Sequence, residues 1–465
     1  MPKSACCLLA LTLLFCEARP GHPDVNINHT TDRHLRQEIM CRVATTPGLK
    51  PRFRELDNLR VSTTNNAYAD LDQDGRPEFI SGFSDETHRR DDPLFKDGNF
   101  ERSRQKSQYM FFSPNSGFEV PKGTRFMMAR TILVQDFNRD RRHDVVFIQH
   151  GPDYEPYEPW RNEIMLSGPD GNKVRYLPGP KSLYHGGAAG DMDNDGDVDI
   201  VVTPGPRNEV LAYVNDGKGN FSIRTLFRNI GRNYNVTLWD FNGDGHLDLF
   251  IDGHREPLTV FWGSQDGYSK RKSQVIEGFD PNLMHDMAFG QFTSGFPQAA
   301  VLSSYKPDLP NSHYYQGYSI DLIELTGGTV EKTENIDWAE NPSGRHLWLA
   351  WFTACDLKKD GNLDLVYEQH GERWHQGFED TSINWARIDK VLWINDGKQF
   401  KRVRIEDPMY FRDYFNEALV EFAHQHGVSL TKYDPEQVYF RSPDGRLVTY
   451  WFTGPNRPFE VMNLN

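Results

Sequence analysis

Carboxylates recur along this chain at one spacing. The stretch from Gly190 to Val202, GDMDNDGDVDIVV, sets Asp191, Asp193, Asp195, Asp197 and Asp199 on alternate positions and then runs into Ile200, Val201 and Val202. Acids this close repel one another unless a cation lies among them. Loop positions 1, 3, 5 and 9 (Asp191, Asp193, Asp195 and Asp199) surround Gly196 at position 6, where a sharp turn is needed. Ca2+ takes about six to eight oxygen ligands, backbone carbonyls such as that of Asp197 included, so the spacing is that of a loop wrapped around one calcium ion. An EF-hand would carry Glu at position 12 between two helices; position 12 here is Val202, and both flanks read as strands.

The pattern returns. DLDQDGRPEFI offers Asp70, Asp72, Asp74 and Glu78; DFNRDRRHDVVFI offers Asp136, Asn138, Asp140 and Asp144; DFNGDGHLDLFI offers Asp240, Asn242, Asp244, His246 and Asp248; DLKKDGNLDLVY offers Asp356, Asp360 and Asp364. A further copy around Gln291, GQFTSGFPQAAVL, keeps the aromatic, the glycine and the apolar tail without the acids. The loops at Asp70, Asp191 and Asp240 are expected to hold calcium. Occupancy is left open at Asp136, where Arg141 replaces the turn glycine, and at Asp356, where the Lys358 ammonium can stand in for a metal.

A second column carries imidazoles. Six residues before the loop start stand Arg130, His185, Tyr234 and His285, and fourteen after it stand His150, His254 and His370. If these converge they form an acid–base or metal-binding cluster; the alternative is that they cap strand ends through backbone hydrogen bonds. Aromatic segments supply a third set: Tyr154, Tyr157 and Trp160; Tyr305, Tyr314, Tyr315 and Tyr318; Trp374 and Trp385. Exposed, these would stack on sugar rings or a protein loop; otherwise they cover neighbouring loops. No nucleophile elbow, Walker loop, H-E-x-x-H or cysteine-rich zinc motif occurs, and no RGD tripeptide.

The elements that must position these residues are short strands. Each acidic loop lies between apolar segments such as NVTLW and DLFI, and each unit continues into a hairpin such as EVLAYVNDGKGNF or KVLWINDGKQF, closed by Asn-Asp-Gly or Pro-Asp-Gly turns. Units of four strands recurring at roughly fifty to sixty-five residues predict a radial repeat. The expectation is an all-β protein: a seven-bladed β-propeller of four-stranded antiparallel blades (six or eight being the alternatives), with the calcium loops between first and second strands. Residues 19–68 would contribute to the closing blade and residues 69–465 would form the propeller. One short C-terminal helix is expected near Phe411–Gly427, where Phe411, Phe415, Leu419 and Phe422 share a face.

The repeated D-x-[DN]-x-D-G-x-x-D motif over about residues 60 to 400 resembles the FG-GAP or VCBS repeat family, the seven-bladed propellers similar to the integrin α-subunit head. The resemblance implies calcium in the loop joining the first two strands of a blade, with partners on the opposite face. On a propeller the imidazole columns fall at that opposite face.

Composition narrows the partners. A formal net charge of −14 with no compensating basic block argues against nucleic acid. Residues 1–18 carry Lys3, an apolar run and a polar break after Ala18, the layout of a signal peptide, and no later run is long enough to span a bilayer. Beyond that segment only Cys41 and Cys355 remain, either bridged or as free thiols, and Asn28, Asn220 and Asn235 head glycosylation sequons. The reading is a secreted, monomeric, calcium-binding recognition module for an extracellular glycan or protein. The alternative is a carbohydrate-active enzyme, lyase-like, working through the His/Tyr/Arg centre.

Overall fold

The computed structural model describes residues 31–45, 61–62, 66–73, 75, 78–85, 108–113, 117–119, 129–151, 159–253, 256–279, 284–304, 317–340, 349–357, 360–369, 391–404, 438–441 and 447–450. One helix, α1 (Asp32–Thr45), precedes strands that gather into successive antiparallel sheets. The first sheet contains β1 (Val61–Ser62), β2 (Asn66–Ala69), β3 (Glu78–Asp85), β4 (Gln108–Ser113) and β5 (Gly117–Glu119), with β1 and β2 both paired to β3. The second holds β6 (Ala129–Gln135), β7 (Asp144–Gln149), β8 (Glu163–Leu166) and β9 (Lys173–Tyr176); the third β10 (Tyr184–Gly190), β11 (Asp199–Pro204), β12 (Glu209–Asn215) and β13 (Phe221–Arg228). The fourth holds β14 (Asn233–Trp239), β15 (Asp248–Gly253), β16 (Glu256–Phe261) and β17 (Ser273–Val275); the fifth β18 (Met284–Gly290), β19 (Gln298–Ser304), β20 (Gly317–Thr326) and β21 (Thr329–Glu340). The sixth holds β22 (Leu349–Cys355), β23 (Asp364–Gln369), β24 (Val391–Asn395) and β25 (Phe400–Arg404), and a last hairpin pairs β26 (Val438–Arg441) with β27 (Leu447–Tyr450).

Strand order within each four-stranded sheet follows the chain, and the sheets touch in sequence through their first strands: β2 on β6, β6 on β10, β10 on β14, β14 on β18, β18 on β22. This radial succession of meanders is the arrangement of a β-propeller. Alternation along the strands explains why it packs. In β11, Ile200 and Val202 face the second sheet with Val146, Ile148 and Ile164, while Val201 faces the fourth with Leu249 and Ile251. Similar two-sheet clusters join the fourth to the fifth sheet and the fifth to the sixth. Each fully buried Val, Leu or Ile contributes roughly 1.5–3 kcal/mol. Near the axis the strands crowd, and β10 meets this with glycine. A Cβ on Gly187 would stand 2.6 Å from Ile148 Cγ1, and one on Gly186 would stand 2.5 Å from the Tyr234 carbonyl oxygen.

Of the segment 19–68 expected in the closing blade, the described part behaves differently. Residues 32–45 form a helix that touches β2, β6, β10, β14 and β22, so it lies among the innermost strands instead of adding a strand at the rim; β1 and β2 pair within the first sheet. The Thr31 hydroxyl caps the helix by accepting the His34 N–H at 3.3 Å. Leu35 and Ile39 are its buried stripe. At one end the Asp32 carboxylate accepts the Ala189 N–H of β10 at 2.8 Å; at the other, Cys41 is bridged to Cys355 at the end of β22, α-carbons 5.4 Å apart. Between them Arg33 and Arg36 both pair with Asp286 of β18. The helix thus lies across the ring like a crossbar. The segment 1–30, which includes the expected signal peptide, and the expected helix near 411–427 lie outside the described residues, as does closure of the ring.

Candidate functional site

The acidic loops share one hydrogen-bond scheme. The position-1 carboxylate turns back onto the loop and accepts the N–H of position 6: Gly75 to Asp70 at 3.0 Å, Arg141 to Asp136 at 2.7 Å, Gly196 to Asp191 at 2.9 Å, Gly245 to Asp240 at 3.0 Å and Gly361 to Asp356 at 2.9 Å. Arg141 therefore makes the same turn as the glycines, at φ 68°, despite the missing glycine; the bond to Asp136 holds a left-handed conformation that costs a side chain about 1 kcal/mol.

Position 9 ties strands together. Asp144, Asp199, Asp248 and Asp364 are buried and tie the blade together. One oxygen of Asp144, Asp248 and Asp364 accepts the N–H of position 2 (Phe137, Phe241, Leu357), and the other accepts an N–H at the end of the third strand (Ser167, Gly263, Asn395). Asp199 accepts the Asn215 N–H at 2.8 Å through Oδ1, and the backbone N–H of Met192, at position 2, also favours its ionised form. In the copy without acids, Gln298 Oε1 takes over and accepts from Phe292 and Thr293, both at 2.9 Å. Burial pushes the carboxyls up, to about 8 for Asp144 and about 7 for Asp199 and Asp248, with neighbouring loop acids adding to the shift.

Carboxylate oxygens of Asp70, Asp72 and Glu78, and those of Asp191, Asp193 and Asp195, come within 4.8 Å of one another. Burial first and the adjacent Asp195 and Asp193 next raise the Asp191 carboxyl, the signature of acids held together without a counter-charge. These two sets fit a hard divalent cation. Position 3 of the Asp136 and Asp240 loops is an amide, and Asn138 and Asn242 donate to Asp140 at 3.2 Å and to Asp244 at 3.0 Å. The Asp197 side chain is turned to Arg139 at 2.6 Å. Asp360 accepts the Asn362 N–H at 3.0 Å. Asp74 and Lys358 lie outside the described residues.

The imidazole column sits at the far end of the same strands. β10 begins at Tyr184 and His185 and ends seven residues on at the Asp191 loop, about 20 Å away at strand rise. Each of the strands β6, β10, β14, β18 and β22 carries a register shift near its start. Arg130, Tyr234 and His285 are the extra residues of three of them, and His185 lies within the fourth. A bulge re-aims a side chain out of the pleat. His185 stacks on Tyr234 with ring centroids 4.1 Å apart, and His150 meets His185 edge-on at 4.5 Å. The buried His150 has Nδ1 3.1 Å from the Gly151 carbonyl oxygen. Thr203, at the end of β11, bonds the Tyr234 carbonyl at 3.1 Å and fixes the neighbouring bulge. His254 and His370 lie outside the described residues.

The aromatic set fares less well. Trp160 is 8% exposed, with the Lys181 ammonium 4.9 Å over its ring and a backbone bridge to Ser182; it packs the blade and is not the exposed platform expected. Tyr318 is likewise buried, its hydroxyl 3.2 Å from Asp337. Tyr154, Tyr157, Tyr305, Tyr314, Tyr315, Trp374 and Trp385 lie outside the described residues. The bulges, the position-9 ties and the crossbar helix were not anticipated. Only the helix left a local signal, Leu35 and Ile39 one turn apart behind Thr31 and Asp32.

Comparison with known proteins follows the loops. The profile of the FG-GAP-like repeat matches residues 136–202 and 191–251. Residues 136–251 thus carry two FG-GAP-like repeats. The chain is similar to cartilage acidic protein 1 of Mus musculus, 27% identical over 165 residues, which is 32% of this chain and 24% of that protein. The chain thus matches about a quarter of its curated relative's length. Among solved structures, an ancestral GH74 enzyme aligns with 64% of this chain and 36% of its own at 13% identity and a TM-score of 0.35, too distant to bear on fold or activity. No helix of the described residues is long and apolar enough to cross a membrane.

Proposed function

We propose that this protein is a secreted, calcium-braced β-propeller that recognises an extracellular glycan or protein through the end of its blades opposite the acidic loops. The observation that carries this reading is polarity along the strands: carboxylates gather at one end, and bulged, stacked polar rings gather at the other. At the loop end, Asp191, Asp193, Asp195 and Asp199, and Asp70, Asp72 and Glu78, would hold calcium, which supplies charge neutralisation. These residues orient the turn; they do no covalent chemistry. At the other end, His185 and Tyr234 present a flat polar stack and Arg130 a cation, a surface suited to a hydroxylated or anionic ligand. The Cys41–Cys355 bridge supports an oxidising compartment.

A lyase-like activity is the second reading, favoured by one observation: an imidazole and a phenol in van der Waals contact beside a second imidazole are groups able to take and return a proton. One experiment addresses both. The full chain is screened against immobilised neutral and acidic glycans, with new unsaturated chain ends followed in solution. Binding lost in His185→Ala with an unchanged melting temperature supports recognition at this end. Unsaturated ends that appear with the native protein and vanish with Tyr234→Phe support the enzyme. Binding retained by both variants overturns the placement.

A further inference from the structure

Successive acidic loops are wired to one another, and the wire is position 4. Gln73, Arg139 and Asn194 occupy it in the first three loops, all in the left-handed region, with φ of 64°, 60° and 58°. That conformation throws each side chain out of its own loop and onto the next. Gln73 Nε2 donates to the Arg141 carbonyl at 2.7 Å. Arg139 pairs with Asp197 at 2.6 Å and reaches the Asp195 carbonyl at 3.5 Å. Asn194 Nδ2 donates to the Gly245 carbonyl at 3.0 Å, with His246 Nδ1 at 2.9 Å. Position 4 of the Asp240 loop is Gly243, which has no side chain to send forward, and the following copy around Gln291 is the one without acids.

The receiving atom matters. Gly245 is position 6, and the peptide that Asn194 grips, the Gly245 carbonyl with the His246 N–H, donates that N–H to Asp244 at 2.9 Å, so it orients an acid of the next loop. On the sending side, the peptide after Asn194 donates its N–H to Asp191 at 3.1 Å. Asp191 of one loop and Asp244 of the next are therefore joined through two peptides and one side-chain amide. The first pair of loops repeats the scheme, Gln73 gripping the Arg141 carbonyl, whose peptide N–H, that of Arg142, holds Asp140 at 2.9 Å. Chains of hydrogen bonds polarise and position one another, and ordering one end lowers the cost of ordering the other.

We propose that the position-4 side chains make cation binding at neighbouring loops cooperative, with Asn194 coupling the Asp191 loop to the Asp240 loop. The inference rests on the calcium reading above and adds its regulation. Asn194 is a positioning residue, since its own side chain faces the neighbour and not its own acids. Coupling between linked sites is commonly worth a 5- to 150-fold change in affinity, and a single amide relay belongs near the lower end, about fivefold.

The test uses the full chain and CaCl2 followed by titration calorimetry, with Asp72→Asn present throughout to silence the first loop. Asn194→Gly removes the amide while tolerating the left-handed backbone. Asn194→Asp keeps a residue at home there but offers an acceptor in place of the donor. In the Asn194 protein, disabling the Asp191 loop by Asp193→Asn is expected to weaken calcium at the Asp240 loop about fivefold. In either Asn194 variant the same substitution should leave that affinity unchanged. Calcium bound with the same effect of Asp193→Asn in all three backgrounds would overturn the relay and leave the calcium reading standing. No calcium heat in the parent protein would overturn both.

Discussion

The carboxylate at position 9 is both a tie between strands and a member of a crowded acidic loop. Burial raises Asp144, Asp199 and Asp248 in the folded chain above the ordinary carboxylate value near 3.8. A group whose folded pKa lies above its unfolded one stabilises below the unfolded value and loses that contribution as pH rises through the folded one. Without calcium, stability should therefore fall between about pH 4 and pH 8, most steeply near 5 to 6, where these three are ionised in the unfolded chain and still protonated in the folded one, and level off near 7 to 8. A cation favours the ionised form and reverses the slope, so melting curves across this range in chelator and in millimolar calcium should diverge as pH rises. Superimposed curves would remove the metal from the loops. Asp193→Ala should lower the calcium-induced gain without abolishing it, because the Asp70 loop gathers its acids independently.

Among the elements, α1 concentrates more energy than its fourteen residues suggest. Arg33 and Arg36 meet on one buried carboxylate, Asp286, which also accepts the Phe352 N–H at 2.9 Å. Removing it strands two guanidinium groups, and breaking a buried pair of this kind costs about 3–5 kcal/mol. Asp286→Ala should lower the unfolding midpoint far more than an exposed change such as Glu38→Ala on the same helix. His34 stacks on Trp239 with centroids 3.6 Å apart, and burial holds its imidazole down at about 4. A depressed histidine withdraws stability as pH falls from its usual 6.5 toward that value. Release of the crossbar in mild acid should thus be visible as a change in Trp239 emission between pH 6.5 and 4, lost in His34→Phe.

For the whole molecule, a crossbar bridged to β22 and bonded to β10 and β18 links blades far apart in sequence. The bridge joins residues 314 apart, a long loop whose closure restricts the unfolded chain; cross-links of this kind are worth about 2–5 kcal/mol. Dithiothreitol or Cys41→Ser should lower the melting temperature by several degrees, and the combination no further. Equal melting temperatures with and without reductant would mean that the bridge does not brace the ring.

Loops, strands and the repeat were legible from residue types alone, because each obeys a local rule. Alternating acids around a glycine repel unless neutralised, and apolar runs closed by Asn-Asp-Gly make hairpins, so DMDNDGDVDIVV and its copies announce a strand–loop–strand unit. The columns of residues six before and fourteen after each loop were also countable, since a repeat maps sequence offset onto position in the blade. Three decisions belonged to tertiary structure. Trp160 became core beneath Lys181 and Ser182, and Tyr318 against Phe352 and Trp393 of the next sheet, which no local pattern records. The bulges that bring His185 onto Tyr234 arise from pairing register between strands, and register depends on the partner strand. The helix 32–45 took its place across the inner strands because only the assembled sheets offer Asp286, the Ala189 N–H and Cys355 around one space.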